Sequence, residues 1–351
     1  MSTFYSLRVK NITRETPKAV SIEFEIPSFL RKVFQFEAGQ YITLKKTIDG
    51  TEVRRAYSLC STPHSGEIRV AIKEVEDGFF SVYANQKLTV GDEIQVLPPE
   101  GRFVHKVREG EHAYAGFVAG SGITPVMSIL QTVLEKEPES IFVLTYGNKT
   151  PEDTIFLKNI KTLQNQYQDR LFVENVYSKT QEENAHFGHI EKSTVNYVLK
   201  NKYKELNFED FYVCGPEGMI TTVTETLREN NVDQDEHIHF ELFNSSDTQE
   251  VPESVNTDES TEVTVILDDD TTTFTMSRGK TLLDAALAEG LDAPYSCQGG
   301  ICASCICKVT EGKAKMAMNT VLTDSEIEEG LTLACQAHPT TERITIDFDD
   351  A

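Results

Sequence analysis

The stretch 297–307, CQGGICASCIC, holds four of the chain's seven cysteines within eleven residues. Such crowding constrains a fold more tightly than any hydrophobic pattern, because neighbouring thiols call for a disulfide, a reactive pair or a metal. The N-terminal MSTFYSLRVK has no apolar leader, and no run of 18 apolar residues occurs anywhere. Neither secretion nor a membrane span is expected, which places the chain in the cytoplasm. Thiols stay reduced there, so a cysteine cluster points to metal binding or catalysis before a disulfide framework.

The spacing narrows the choice. Cys297, Cys302 and Cys305 are followed 30 residues later by Cys335. This C-x4-C-x2-C…C pattern is that of plant-type [2Fe–2S] ferredoxins. Two irons and two sulfides need four thiolates in one tight loop, with backbone N–H groups aimed at the sulfurs. Gly299 and Gly300 are expected to take positive φ and let the backbone close in. Cys307 breaks the spacing and is expected to pack as a small buried residue. Structural zinc is the alternative, although its ligands more often come as two C-x2-C pairs and Cys335 stands alone. A Rieske centre would need two histidines, and residues 297–307 contain none.

Around this loop the sequence reads as a small module. TEVTVILDDDTTTFTMS alternates apolar and polar residues about an Asp-rich turn, as a β-hairpin does. TLLDAALAEG follows as a helix, with Thr281 and Asp284 as a capping box and Gly290 as its stop. Residues 262–351 carry 16 acidic and 6 basic side chains, a net −10 out of −23 for the whole chain. That charge argues against nucleic acid as a partner. It suits either an ordinary solvated surface or steering toward a basic partner face. Residues 244–261, NSSDTQEVPESVNTDEST, have little to bury and read as a flexible linker. Eighteen residues reach at most roughly 60 Å extended and average about 23 Å as a coil.

The longer N-terminal part divides in texture. In residues 106–243, GFVAGSGITPVMSILQTVLE is an apolar strand, a Gly-rich turn and an amphipathic helix. Gly120, Ser121 and Gly122 form the turn, with Thr124 expected as N-cap and Pro125 as first helical residue. A diphosphate can approach such a helix N-terminus, drawn by its free N–H groups and dipole. Pro125 replaces the third glycine of G-x-G-x-x-G, which argues against a standard Rossmann dehydrogenase. Further strand–helix units follow, and four in series predict a parallel sheet in an α/β domain. The loop after FVLTY offers Asn148, Lys149 and Thr150, and the loop after FVENV offers Ser178 and Lys179. Neither strand ends in an acidic residue for a ribose hydroxyl. Cations and hydroxyls there suit a 2′-phosphate, which predicts NADPH rather than NADH.

Residues 1–105 show short alternating strands separated by Asp49-Gly50, Asp77-Gly78 and Gly91-Asp92, the pattern of a small antiparallel β-barrel. Within it, RRAYSLCSTP sets Arg55 to neutralise a phosphate, Tyr57 to stack on a ring system and Ser58 to hydrogen-bond an isoalloxazine edge. EDGFFSVY offers Gly78 and Ser81 for a second phosphate contact.

The order of these motifs along the chain resembles the ferredoxin–NADP reductase superfamily fused to a plant-type ferredoxin, the reductase component of many bacterial oxygenases. In layout it is most similar to the reductase subunits of phenylacetyl-CoA epoxidases, which are multicomponent di-iron oxygenases. The resemblance implies three domains: an antiparallel β-barrel for FAD (1–105), a parallel α/β domain for the nucleotide (106–243) and a β-grasp-like α+β ferredoxin domain (262–351). It puts FAD on Arg55, Tyr57, Ser58, Ile72, Gly78 and Ser81. The nicotinamide dinucleotide falls on Gly120 to Pro125, Lys149, Cys214, Gly215 and Pro216, and the cluster on Cys297, Cys302, Cys305 and Cys335. HFELF, 239–243, matches the end of the family's nucleotide domain and places Glu241 and Phe243 beside the flavin. Ser58, Cys214 and Glu241 are the residues implied at the reacting centre, with Cys214 suited to contact rather than nucleophilic attack. Many members of the family have Arg where this chain has Lys149, a weaker phosphate clamp.

The implied activity passes electrons from NADPH to FAD, then to the [2Fe–2S] cluster and out to an oxygenase. A flavin links a two-electron donor to a one-electron acceptor, and the protein positions and tunes the cofactors. Other readings are a reductase for a Rieske or other ring-hydroxylating oxygenase, an oxidase that reduces oxygen or quinone, and a partner-binding scaffold without turnover.

Overall fold

The computed structural model describes residues 3–243, 251–252 and 255–351, in two compact units, one of them Phe4–Phe243 and the other within 244–351. Residues 244–250 and 253–254 of the expected linker lie outside the described residues. Near its end, Val255 is buried and Ser260 already opens a strand.

The first half of the larger unit is a six-stranded antiparallel sheet. Its strands are β1 (Tyr5–Thr16), β2 (Ala19–Glu25), β3 (Tyr41–Ile48), β4 (Thr51–Ser58), β5 (Ile68–Lys73) and β6 (Glu93–Val96), in the order β4-β3-β6-β1-β2-β5. A bridge between Leu59 and Val70 brings the two edge strands together and closes the barrel. Asp49 and Gly50 both take positive φ (49° and 86°) between Ile48 and Thr51, as a two-residue hairpin turn requires. After β5 the Asp77-Gly78 signal predicts only a turn, yet the chain forms a helix, α1 (Phe79–Gln86). Phe80 and Ala84 anchor it on the barrel core, and Asn85 donates from Nδ2 to the Ile72 carbonyl at 3.1 Å. Those partners lie across the barrel, so no local pattern shows them.

The second half is a parallel sheet of β7 (Ala113–Ala119), β8 (Ile141–Asn148), β9 (Leu171–Tyr177), β10 (His186–Phe187), β11 (Phe208–Gly215) and β12 (Ile238–Leu242). The order is β10-β9-β8-β7-β11-β12. Crossovers run through α2 (Ile123–Lys136), α3 (Leu157–Gln166), α4 (Lys192–Asn196) and α5 (Glu217–Glu229). The strand order reverses between β7 and β11, and in such sheets a ligand crevice opens beyond the carboxyl ends of those two strands.

Hydrogen bonds across a buried seam join the barrel to this sheet. On α2, Ser128 Oγ donates to the Ser61 carbonyl (2.6 Å) and Gln131 Nε2 to the Cys60 carbonyl (3.2 Å). His105 takes part in both halves. Its backbone N–H donates to the Ala38 carbonyl of the barrel at 3.0 Å. Its ring, buried, reaches Glu137 at the end of α2 through Nε2 (2.7 Å) and the Tyr212 hydroxyl on β11 through Nδ1 (2.7 Å). Glu137 also accepts from the Arg108 N–H, the Tyr114 hydroxyl and Ser140 Oγ.

The C-terminal unit opens with a hairpin, β13 (Ser260–Leu267) and β14 (Asp270–Ser277), turned by Asp268 and Asp269 at φ 56° and 64°. The Asp349 carboxylate accepts both of their N–H groups, at 2.9 and 2.8 Å, which holds the left-handed turn. Thr281 caps the helix Leu282–Ala288 by accepting from the Asp284 N–H (3.1 Å), and Gly290 (φ 81°) follows its end. The remaining strands are β15 (Ile306–Glu311), β16 (Ala314–Met316), β17 (Leu331–Leu333), β18 (Ala337–Pro339) and β19 (Arg343–Asp347). They complete a sheet in the order β14-β13-β19-β15-β17 and a β16-β18 pair. Val263, Val265, Leu282, Leu283, Leu333, Ile344 and Ile346 form its core.

Burial pushes the Glu137 carboxyl up, but the bonds from His105, Ser140 and the Arg108 N–H outweigh it and hold the group below its ordinary 4.5. Glu174 is lowered likewise, with Lys202, Tyr203 and His186 overcoming burial. A carboxyl lowered on folding stabilises the fold above its unfolded value, and that stability is lost as pH falls through the folded value. Urea unfolding should therefore show stability declining as pH drops below about 4.5. Glu137→Gln should cost about 1.5–3 kcal/mol at neutral pH and make the acid decline shallower. An unchanged acid profile in that variant would contradict this assignment.

Candidate functional site

The switch-point crevice is lined by the turn after β7 and the end of β11. Gly120 (φ 56°) opens the turn, and the Tyr146 hydroxyl donates to its carbonyl at 3.0 Å. A Cβ on Gly122 would lie 2.2 Å from the Cys214 carbonyl oxygen, so only glycine allows the turn to rest against β11. Gly215 is pressed in turn against Ala119 and Met219. Thr124 is not the N-cap expected of it. The Gly120–Gly122 turn runs straight into α2, Gly122 holds the cap position, and Thr124 Oγ1 donates back to the Ser121 carbonyl at 3.1 Å. Pro125 is accordingly the third residue of α2, still in the first turn where its missing N–H costs nothing. Pro216 is the N-cap of α5.

The two loops read for the 2′-phosphate lie side by side. The Ser178 N–H donates to the Asn148 carbonyl and the Lys179 N–H to the Lys149 carbonyl, both at 3.0 Å. Lys149 and Lys179 are exposed, and Thr150 Oγ1 donates to Asp153 at 3.3 Å. A cation that sequence reasoning missed joins them from the barrel. The Lys73 ammonium lies 3.5 Å from where a Cβ on Gly120 would stand. Among the described residues no hydrogen bond or ion pair is recorded for it. Burial, aided by Lys149 and Lys18 and opposed by Asp153, holds Lys73 below the usual lysine range. Only the barrel's packing on the sheet brings Lys73 here.

The flavin motif sits on β4. Ser58 is buried, and its hydroxyl donates to Glu241 Oε2 at 3.2 Å, across 183 residues of sequence. Glu241 on β12 pairs in register with Cys214 on β11. Ser58, Cys214 and Glu241 thus meet where barrel and sheet join. Burial and the Glu241 charge push the Cys214 thiol well up, which keeps it neutral. Tyr57 packs on Phe80 of α1, ring centroids 5.6 Å apart. Arg55 is exposed and donates to the Arg54 carbonyl at 2.7 Å. Ser81 Oγ accepts from the Val75 N–H (3.1 Å), and a Cβ on Gly78 would lie 2.4 Å from it. The Gly78–Ser81 pair therefore shapes the turn into α1, whose first N–H groups are the donors left for a phosphate. Ile72 is fully buried on β5, and Phe243 packs, partly buried, against the core that barrel and sheet share. An aromatic, a hydroxyl, an exposed cation and a helix N-terminus fit a flavin dinucleotide.

In the C-terminal unit the thiols form two pairs, Cys297 with Cys302 and Cys305 with Cys335. The bond from Cys302, with N–H groups of Gly299 and Ile301, pulls Cys297 down to about 7 against burial. The bond from Cys305, aided by the Gly300 N–H, lowers Cys335. Among the described residues no three His, Cys, Asp or Glu side chains converge to hold a single metal ion. Two thiol pairs with backbone donors fit a two-iron cluster, two ligands to each iron, better than one zinc ion. Positive φ falls on Gln298 (56°) and Gly300 (71°), not on Gly299. Gly299 instead donates its N–H to Cys297 Sγ at 3.3 Å, which fixes its direction. Cys307 is fully buried in the core on β15, opposite Thr332 of β17.

A barrel fitted for flavin beside a parallel nucleotide sheet, with a four-thiol loop in a second unit, defines a pyridine-nucleotide-linked iron–sulfur flavoprotein. Three family models match in this order: the oxidoreductase FAD-binding domain over residues 6–105, the oxidoreductase NAD-binding domain over 117–225 and the 2Fe-2S iron-sulfur cluster binding domain over 265–340. The chain is 36% identical to one of the subunits of 1,2-phenylacetyl-CoA epoxidase from Escherichia coli K12, over 99% of both chains. It is 34% identical to the ferredoxin reductase component of 3-ketosteroid-9-alpha-monooxygenase from Rhodococcus rhodochrous, over 97% of this chain and 96% of that one. Its fold matches phthalate dioxygenase reductase with TM-score 0.63 at 22% identity, covering 98% of each chain. The chain belongs to the family of oxygenase reductase components that join these three domains. It is an FAD- and iron–sulfur-dependent NAD(P)H oxidoreductase.

Cys307→Ser should keep the visible iron–sulfur spectrum and full iron content, whereas Cys302→Ser should lose both. Loss of the cluster from the Cys307 variant would make Cys307 a ligand and refute the pairing.

Proposed function

We propose that the chain draws electrons from NADPH and delivers them, through FAD and the [2Fe–2S] cluster, to a cytoplasmic di-iron oxygenase of the phenylacetyl-CoA epoxidase type. The Ser58–Glu241 bond beside Cys214 carries the reading, because it joins the flavin strand to the mouth of the nucleotide crevice. When bound, FAD would supply the exchange between a two-electron donor and a one-electron acceptor that the nucleotide and the cluster require. In this reading Arg55, Tyr57, Ser58, Ile72, Gly78 and Ser81 hold FAD. The Gly120–Pro125 turn, Cys214, Gly215 and Pro216 hold the nicotinamide dinucleotide. Cys297, Cys302, Cys305 and Cys335 hold the cluster. Glu241 and Phe243 border the flavin, and Cys214 orients the nicotinamide without attacking it. Domain limits at 105, 243 and 262 complete the picture.

The NADPH preference is supported by Lys149, Lys179, Thr150 and Ser178 on adjoining loops, while Lys73 beside Gly120 would serve the diphosphate common to both nucleotides. The oxygenase type is supported by identity to the epoxidase component across the whole chain. The steroid monooxygenase reductases, nearly as similar, favour a different oxygenase as the second reading. Mixing the purified protein with NADPH and each candidate oxygenase decides between them. Product coupled to NADPH use with a di-iron epoxidase is expected, and coupling only to another oxygenase would sink the first reading.

Lys149→Ala should raise KM for NADPH by about 10- to 100-fold, the loss of a charge-assisted contact worth about 1.5–3 kcal/mol, while KM for NADH stays nearly constant. Equal effects on both nucleotides would refute the preference. Truncation after Phe243 should leave a folded flavoprotein that reduces ferricyanide with NADPH but supports no oxygenase. A truncated protein that drives an oxygenase as well as the full chain would show that electrons do not leave through the cluster.

A further inference from the structure

We infer that His105 is a positioning residue for flavin reduction: with Glu137 and Tyr212 it sets the tilt of α2, and hence the place of the nucleotide turn relative to the flavin barrel.

The backbone of His105 belongs to the barrel and its ring to the nucleotide sheet. The N–H is bonded to Ala38, while the ring spans Glu137 on α2 and Tyr212 on β11. Ring and carboxylate are both essentially unexposed, at 1% and 0%. Glu137 keeps three other donors, Arg108 N–H, Tyr114 and Ser140, when the imidazole is taken away. The carboxylate would stay satisfied, and the buried bond that ties the helix end to the barrel is the one that would go, leaving there the part-exposed Glu135–His64 pair.

Helix geometry turns that loss into a displacement at the other end of α2. Near its end the helix meets the barrel through that part-exposed pair, Glu135 with His64. At its middle it bonds to the barrel through Ser128 and Gln131. Glu137 follows this pivot by as many residues as Gly122 precedes it, so the two arms are each about 11 Å at 1.5 Å per residue. A movement of Glu137 away from the barrel is matched by a similar, opposite movement of Gly122. Gly122 is pinned by backbone contact to Cys214, so the Gly-rich turn and the end of β11 shift together against Ser58. A misplacement near 1 Å between reacting partners costs on the order of 100-fold in rate. The nucleotide's own contacts, all on the sheet side of the pivot apart from Lys73, travel with it. Binding is spared while the reaction slows.

The test uses full-length holoprotein and single-turnover reduction of the flavin by saturating NADPH, repeated with NADH. His105→Ala should retain FAD and the cluster spectrum and bind nucleotide within about 3-fold of the parent. Its flavin should be reduced roughly 10- to 100-fold more slowly with both nucleotides. His105→Gln should recover most of the rate, since its amide can donate to Glu137 and accept from Tyr212. An unchanged rate per bound flavin in His105→Ala, or equal slowing in the Ala and Gln variants, would overturn the inference. If His105→Ala fails to fold or to hold FAD, Tyr212→Phe decides, because it removes a single hydroxyl and keeps the ring. Slowing of about 3-fold or more, the loss of one neutral hydrogen bond, is then expected, and a parental rate would overturn the inference.

Discussion

The nucleotide crevice depends on one close approach. The Gly120–Gly122 turn must lie against the Cys214 carbonyl, where a single methyl group would be 2.2 Å from an oxygen. Because the strand order reverses between β7 and β11, these two strand ends are the ones with no crossover helix between them. A backbone that comes so close leaves its N–H groups and the start of α2 facing the gap, which is what an anionic diphosphate needs. The same contact brings β12 and Glu241 within reach of Ser58. In the proposed function, phosphate binding, nicotinamide placement and the link to the flavin strand would therefore share one steric requirement.

Much of this was legible in the chain as written. The cysteine spacing, the Gly-rich turn and the Arg55-x-Tyr57-Ser58 strand are local, and each keeps its chemistry when read in isolation. The two hairpin turns follow from paired residues that tolerate positive φ, Asp49-Gly50 and Asp268-Asp269. What was not legible is long-range. Helix α1 is held by the barrel it packs on. Lys73 reaches Gly120 only after the barrel docks. His105 meets Tyr212 across 107 residues and Ser58 meets Glu241 across 183. Thr124 and Gly299 show a subtler limit. Their residue types suit a cap and a positive φ, but the turn preceding each had already satisfied that role with a neighbour.

The seam between barrel and sheet sets polar bonds among apolar contacts such as Ala38, Cys60 and Phe103, where apolar packing alone would have sufficed for stability. Ser128, Gln131, His105 and Glu137 all make directed bonds inside it. Apolar surfaces slide, whereas buried hydrogen bonds lose their full desolvation cost if they slip. A reductase must hold two cofactors from two domains in one geometry, and directed bonds specify an angle that packing alone leaves loose.

In the C-terminal unit, β19 lies between β13 and β15 and pairs with both. The strand latest in this unit's sequence is thus the centre of its sheet, and Cys335, the fourth thiol, precedes it by only a few residues. Neither the sheet nor the set of four thiols is complete without this segment. A chain cut short before Cys335 therefore lacks at once the fourth thiol and the strand that joins β13 to β15.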